Sequence, residues 1–437
     1  MYQLSLYTHI FSRNNDWFIY NSQSNFFIRV SQDLVNVIEG NDWTALDDET
    51  LKLLQKQHII ELKGHQHDYF DLQQLKFTNR NYRSTSMVLV IAPTTACNFN
   101  CPYCFEPKLS PKFMTQDTFA DLKRFIRGYP DVKEIHLTWY GGEPLLAFKQ
   151  IKQLYEMFKS EEIPAIVSTS IVTNGSLLNE EICDFFKEKN LEIMQITIDG
   201  TKESHDRTRC FKADGKGSFD TIYNNIKLVR ERIPNCRISI RVNINKENKK
   251  DFVEIYKKIE KDFNKDPYIY VYPGFIREET CDGKKLQDNC IQTKDIPELY
   301  EFFKAHGIEQ PIFPRRKQRG CMIFSQNSHI IGPEGEIYKC WNDVTKPDRV
   351  IGNISDASLD NPTLFTQYMT HSTPYRDECR DCKVFPICDG GCGYYRYKNL
   401  YENGEFNQCS AMKDMAVLEK ALLDGSLAKI TKVKEEE

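Results

Sequence analysis

Between residues 87 and about 275 the chain alternates two kinds of apolar pattern. Six short runs rich in β-branched residues, 87–92, 135–140, 165–173, 192–198, 237–245 and 268–273, have the composition of strands. The stretches between them space their apolar residues as helices do, as in DTFADLKRFIRGY and GSFDTIYNNIKLVRERI. Such alternation predicts an α/β fold with a parallel sheet and right-handed crossovers, which assigns residues 86–310 to one domain. In residues 1–85, LYTHIFSR, DWFIYNSQ and NFFIRVS alternate apolar and polar positions around short polar turns, predicting two or three antiparallel strands. Two helical stretches follow, SQDLVNVIEG with Ser31 as N-cap and DDETLKLLQKQHII with an Asp-rich start. Residues 416–437 read as the end of a helix and a charged tail.

The first predicted strand of the larger domain runs directly into Cys97-Asn-Phe-Asn-Cys101-Pro-Tyr-Cys104, so one loop carries three thiols at CX3CX2C spacing. Three thiolates hold a [4Fe-4S] cluster by three irons and leave the fourth open for a small molecule to chelate. Structural zinc also uses closely spaced cysteines, but it takes four ligands and no fourth lies nearby in the sequence. Further on, strand-like runs end in polar groups: Gly141-Gly142-Glu143-Pro144 after EIHLTWY, Thr173-Asn174-Gly175 after IVSTSIV, and Thr197 near the end of QITIDG with Arg209 twelve residues later. Arg241-Val-Asn-Ile-Asn245 closes another, with Asn243 near its end. Loops at the carboxyl ends of strands are where parallel α/β folds bind ligands.

The cysteine spacing, with the aromatic Tyr103 directly before Cys104, resembles the radical S-adenosylmethionine (SAM) enzymes. That resemblance implies a partial (β/α)6 barrel, a catalytic cluster on Cys97, Cys101 and Cys104, and SAM chelated at the open iron. It implies that Gly141, Gly142, Glu143 and Pro144 hold the SAM amino group, that Thr173 and Asn174 face the cofactor, that Thr197 and Arg209 contact its carboxylate, and that Asn243 meets its ribose.

A second group of cysteines follows: Cys321, Cys340, Cys379-X2-Cys382-X5-Cys388-X3-Cys392 and Cys409. CX2CX5CX3C alone would also suit a zinc ribbon. Downstream of such a barrel it resembles the SPASM extension, here residues 311–415, with two auxiliary [4Fe-4S] clusters and hence three in all. The resemblance gives Cys379, Cys382, Cys388 and Cys409 to one and Cys321, Cys340 and Cys392 to the other, whose remaining iron is either open or bound by Cys290 or Cys281. Gly335, in GPEGEIYKC, sits where a hairpin needs positive φ.

Fifteen cysteines in 437 residues do not indicate disulfide staples, because a chain of this length buries an ample core. Cys183 and Cys236 read as ordinary core thiols. A net charge of -4 without a basic stripe argues against nucleic acid, and no long apolar run suggests a membrane span or signal peptide, so a cytoplasmic protein is expected. The N-terminal strands and helices resemble the small winged-helix domains that bind precursor peptides by strand addition. The chain is thus similar to radical SAM/SPASM maturases of ribosomally made peptides. The resemblance implies reduction by a flavodoxin or ferredoxin, a 5′-deoxyadenosyl radical, and a thioether, C–C or C–O crosslink in a precursor peptide. The alternative is a sulfatase-type maturase that makes formylglycine from Cys or Ser.

Overall fold

The structure is a computed structural model that describes residues 1–82, 85–104, 110–276, 290–308, 314–316, 320–356, 359–371 and 373–435, with side chains to residue 425. The chain divides into two compact units. One comprises Met1–Asn81, Thr293–Phe324 and Tyr368–Glu437; the other comprises Tyr82–Gln292 and Ser325–Gln367.

In the first unit, β2 (Thr8–Arg13), β3 (Asp16–Asn21) and β4 (Phe26–Val30) form an antiparallel sheet in that order, as their alternation predicts. Both faces of this sheet are covered. Ile19 packs with Ile38, Leu54 and Ile59 from the helical side, whereas Phe11 and Tyr20 pack with Leu418 and Leu422 of the C-terminal helix Met415–Glu435. Helix α1 (Gln32–Gly40) starts where Ser31 Oγ accepts the Leu34 N–H at 3.3 Å, and α2 (Asp48–Lys56) where Asp47 accepts that of Thr50 at 2.8 Å. Two features escaped the sequence pattern. β1 (Tyr2–Leu4) pairs with β5 (Ile60–Leu62), three-residue strands too short and too distant for a period to reveal. Helix α3 (Asp68–Tyr82) is mostly polar and buries chiefly Phe70 and Phe77.

The second unit is built on parallel strands β6 (Ser86–Ile91), β7 (Glu134–Trp139), β8 (Ala165–Thr173), β9 (Leu191–Thr197), β10 (Arg237–Ile244) and β11 (Ile269–Phe275), which neighbour one another in chain order. Helices α4 (Gln116–Arg127), α5 (Phe148–Phe158), α6 (Glu180–Glu188), α7 (Lys202–Thr208), α8 (Phe219–Arg232) and α9 (Lys249–Asp262) lie in the crossovers. Beyond β6 the sheet gains β12 (Ser328–Ile331), parallel to it, and then β13 (Glu336–Tyr338) and β14 (Gly352–Asn353), both antiparallel. Gly335, at φ +86°, closes the β12–β13 hairpin as expected. Ile135, Leu137, Trp139, Met194, Ile196, Ile238 and Ile240 are nearly inaccessible, forming the covered side of the sheet. Cys183 and Cys236 are fully buried core thiols.

Candidate active site

The cysteine loop leaves the end of β6 and is held down by backbone contacts that only glycine permits. Gly142 N–H donates to Thr94 O at 3.3 Å and Glu143 N–H to Ala96 O at 2.8 Å. A Cβ at Gly142 would stand 2.5 Å from Ala96 O and 2.6 Å from Thr95 O, so the backbone that approaches here is the chain's own. Gly142→Ala is therefore expected to destabilise the protein by about 1–3 kcal/mol, read as a lower midpoint in denaturant. An unchanged midpoint would show that the cysteine loop is not packed against this turn.

Glu143 is fully buried, and burial raises its pKa while three hydrogen bonds draw it back. Its Oε1 accepts from Thr173 Oγ1 at 2.7 Å and Leu145 N at 3.0 Å, and its Oε2 from Asn174 N at 2.7 Å. Pro144, buried, opens the short 3-10 turn that follows. Asn174 Nδ2 donates to Asn98 Oδ1 at 2.8 Å, and Asn98 Nδ2 to Ser176 Oγ at 2.9 Å, so β8 grips the cysteine loop between its first two thiols.

A second group of polar residues gathers at β9 and β10. Thr197 ends β9, and Arg209 caps the short helix α7. Arg209 is 7% exposed; its Nη1 donates to Tyr103 Oη at 3.1 Å, and its guanidinium lies 5.5 Å from the Phe99 ring centre. The Tyr103 hydroxyl donates in turn to Asp199 Oδ2. Asp199, 2% exposed, also accepts from Thr208 Oγ1 at 3.3 Å and from Asn243 N at 3.3 Å. Burial raises the Asp199 pKa, and Arg209 is the strongest influence lowering it. Burial likewise pushes the Cys97 thiol up to about 12 and raises Cys101, which the nearby Arg209 partly offsets. Cys290 is buried with Ile276 and Tyr103; Cys281 lies outside the described residues.

His205, fully buried, was not singled out by its sequence context, although it stands between Thr197 and Arg209. Its Nδ1 accepts the Asp199 N–H at 3.2 Å, so the proton sits on Nε2, which meets Ser218 Oγ at 2.9 Å. Ser218 then donates to Arg209 O at 2.5 Å. Burial, helped by Arg209, lowers the His205 pKa to about 3, and burial also lowers that of His329. Above pH ~6.5 both rings are neutral whether the chain is folded or unfolded. As the pH falls from there towards 3 the unfolded chain binds protons that the folded chain refuses, so stability declines. The melting temperature is expected to drop from pH 7 to pH 5; a flat profile would show that these rings are protonated in the fold.

These contacts bring Cys97, Cys101, Tyr103, Glu143, Thr173, Asn174, Arg209 and Asn243 into one polar site at the carboxyl ends of β6 to β10 and add Asn98, Asp199 and His205. A Radical SAM superfamily model matches residues 91–259. The serine-type anaerobic sulfatase-maturating enzyme of Bacteroides thetaiotaomicron is 31% identical over 405 residues, covering 78% of this chain and 96% of that protein. The chain belongs to the radical SAM superfamily. Among solved structures, this radical SAM protein is similar to native anSMEcpe with bound AdoMet, at TM-score 0.58 and 19% identity over 80% of this chain and 99% of that one. It is also similar to Streptococcus suis SuiB bound to precursor peptide SuiA, at TM-score 0.52 and 16% identity over 94% of this chain and 99% of that one. It is an enzyme with radical SAM chemistry, and the superfamily implies a [4Fe-4S] cluster and SAM.

The site fits such a cofactor. Arg209 Nε is buried with no hydrogen-bond partner, a donor suited to a carboxylate from outside the chain. Cys97, Cys101 and Cys104 stand on one loop at a spacing that lets three thiols reach one cube-shaped cluster. Cys379 and Cys382 are held one turn apart, with the Cys382 N–H on Cys379 O at 3.3 Å. Buried Arg396 donates to Glu378 Oε1 at 3.2 Å and to Gly390 O, bracing the segment that carries Cys388 and Cys392. No helix among the described residues is long and apolar enough to cross a membrane.

Proposed function

We propose that this enzyme matures a ribosomally made precursor peptide by installing a thioether, C–C or C–O crosslink. The observation that carries this choice of substrate is the span of the fold match: 94% of the chain for SuiB, whose structure holds its precursor peptide SuiA, against 80% for anSMEcpe. The N-terminal β2–β4 sheet with its helices suits a peptide-recognition domain. Cys97, Cys101 and Cys104 would hold the catalytic cluster, and the seven cysteines from Cys321 to Cys409 would hold two auxiliary clusters. Bound together, the cluster and SAM supply a carbon-centred radical able to take hydrogen from an unactivated carbon. Arg209 and Thr197 would hold the SAM carboxylate, Glu143 and the Gly141–Gly142 turn its amino group, and Asn243 its ribose. Tyr103 and Asp199 keep Arg209 aimed, and the buried polar network limits water at the reacting centre. A flavodoxin or ferredoxin would deliver the electron in the cytoplasm.

The 31% identity to a serine-type sulfatase-maturating enzyme favours a second reading, formylglycine formation. The deciding measurement is mass spectrometry of small peptides encoded beside the gene, each co-expressed with the enzyme, and of any neighbouring sulfatase. A peptide lighter by two hydrogens and unreactive towards a hydrazide probe is the expected product. Serine oxidised to formylglycine has the same mass change but reacts with hydrazide, and finding it in place of a crosslink would overturn the proposal.

A further inference from the structure

Gly391, at φ +79°, lies between Cys388 and Cys392. A Cβ there would stand 1.9 Å from Gln408 O, so this loop rests directly on the residue before Cys409. The helix Gly393–Tyr401 then leaves Cys392, with the Arg396 N–H on Cys392 O at 3.1 Å. From the first turn of that helix the Arg396 side chain reaches back to the same group of cysteines.

Arg396 is 2% exposed. One terminal nitrogen donates to Glu378 Oε1 at 3.2 Å and the other to Gly390 O. The guanidinium also hydrogen-bonds the Cys379 thiol; burial raises the pKa of that thiol, and Arg396 is the strongest influence lowering it. Its Nε is buried without a partner, an orphaned donor on a side chain that already touches a thiol. Glu378 does not cancel the charge, because its carboxylate is about half exposed and shared with Arg376, whose Nε lies 3.2 Å from the same Oε1. A second cation serves Cys409. Lys413 is exposed, and its Nζ donates to Cys409 Sγ at 3.8 Å. Asp381, between Cys379 and Cys382, meets His67 Nε2 at 2.7 Å instead of either cation.

We propose that Arg396 and Lys413 raise the reduction potential of the cluster on Cys379, Cys382, Cys388 and Cys409. The inference rests on the auxiliary clusters proposed above. Reduction adds negative charge to a group that four thiolates already make negative, so cations and N–H donors beside its sulfurs favour the reduced form. Arg396 acts from a dry site, where its charge is little screened, and its Nε–H is the donor left for a cluster sulfur. Lys413 acts through solvent, where salt weakens it.

The test is an electron paramagnetic resonance redox titration of the full-length, anaerobically reconstituted Cys101→Ala protein, in which only the auxiliary clusters remain. Two reduction steps and about eight irons per chain are expected. Arg396→Gln should make reduction of one cluster about tenfold less favourable, a fall of about 59 mV in its midpoint for one electron, with iron unchanged. Arg396→Lys keeps the charge without the fork and should shift that midpoint less. Lys413→Gln should disfavour reduction of the same cluster about threefold, and about 1 M salt should remove its effect while leaving that of Arg396→Gln. Parent-level iron with both midpoints unmoved in Arg396→Gln overturns the inference alone. If Arg396→Gln loses iron, an unmoved midpoint in Lys413→Gln overturns it. A Cys101→Ala protein that holds no iron would overturn the auxiliary clusters of the proposed function, and the inference with them.

Discussion

Cys101→Ala is expected to abolish SAM cleavage altogether. With Cys97 and Cys104 alone, two irons of the cube lack protein ligands where a single open iron is needed for chelation. Asn98 and Phe99 anchor the loop independently of the thiol, through Asn174 and through the 5.3 Å edge contact of Phe99 with Phe211. The variant should therefore fold, and its melting temperature should stay close to that of the parent. After anaerobic reconstitution, iron is expected to fall by about four atoms per chain and 5′-deoxyadenosine to drop below detection. Iron that does not fall would remove Cys101 from the ligand set. A fall to zero would mean that the cysteines from Cys321 to Cys409 hold no cluster of their own.

Arg209→Leu should weaken SAM binding by about two orders of magnitude while leaving iron content unchanged. The guanidinium is the buried cation among Asp199, Tyr103 and Cys101, and its Nε is the donor left over. Its removal would cost the proposed contact to SAM and would also strand the Asp199 carboxylate in a dry site. Arg209→Lys keeps the charge but not the fork and should recover only part of the affinity. Equilibrium dialysis with labelled SAM on reconstituted protein reads both variants. Parent-like affinity in Arg209→Leu would show that the carboxylate is held elsewhere.

Much of the catalytic unit could be read from the chain. The six strands lie within one or two residues of their predicted runs because each is a β-branched stretch bounded by polar turns, a local signal. The cysteine motif and the Gly141–Pro144 turn were also visible, since both depend on residue identity at short spacing. Asp199 and His205 were missed for the opposite reason. An aspartate after a strand and a histidine in a polar stretch are unremarkable until Tyr103, about 100 residues earlier, is folded onto the first, and Ser218, 13 residues later, onto the second. The β1–β5 pair and α3 were hidden similarly, by strands three residues long and by a helix with little apolar periodicity.

The amino-acid sequence by itself determined the α/β alternation, the antiparallel N-terminal strands and the three thiols on one loop, because strand period, helix period and ligand spacing are properties of neighbouring residues. Only the tertiary structure decided which polar side chains meet. The order of the parallel strands, fixed by burial of their apolar side under the helices, sets Glu143 against Thr173 and Asn174, and Asp199 against Tyr103 and Asn243. Those contacts join residues 30 to 96 positions apart, and no period or motif along a chain encodes which strand will lie beside which.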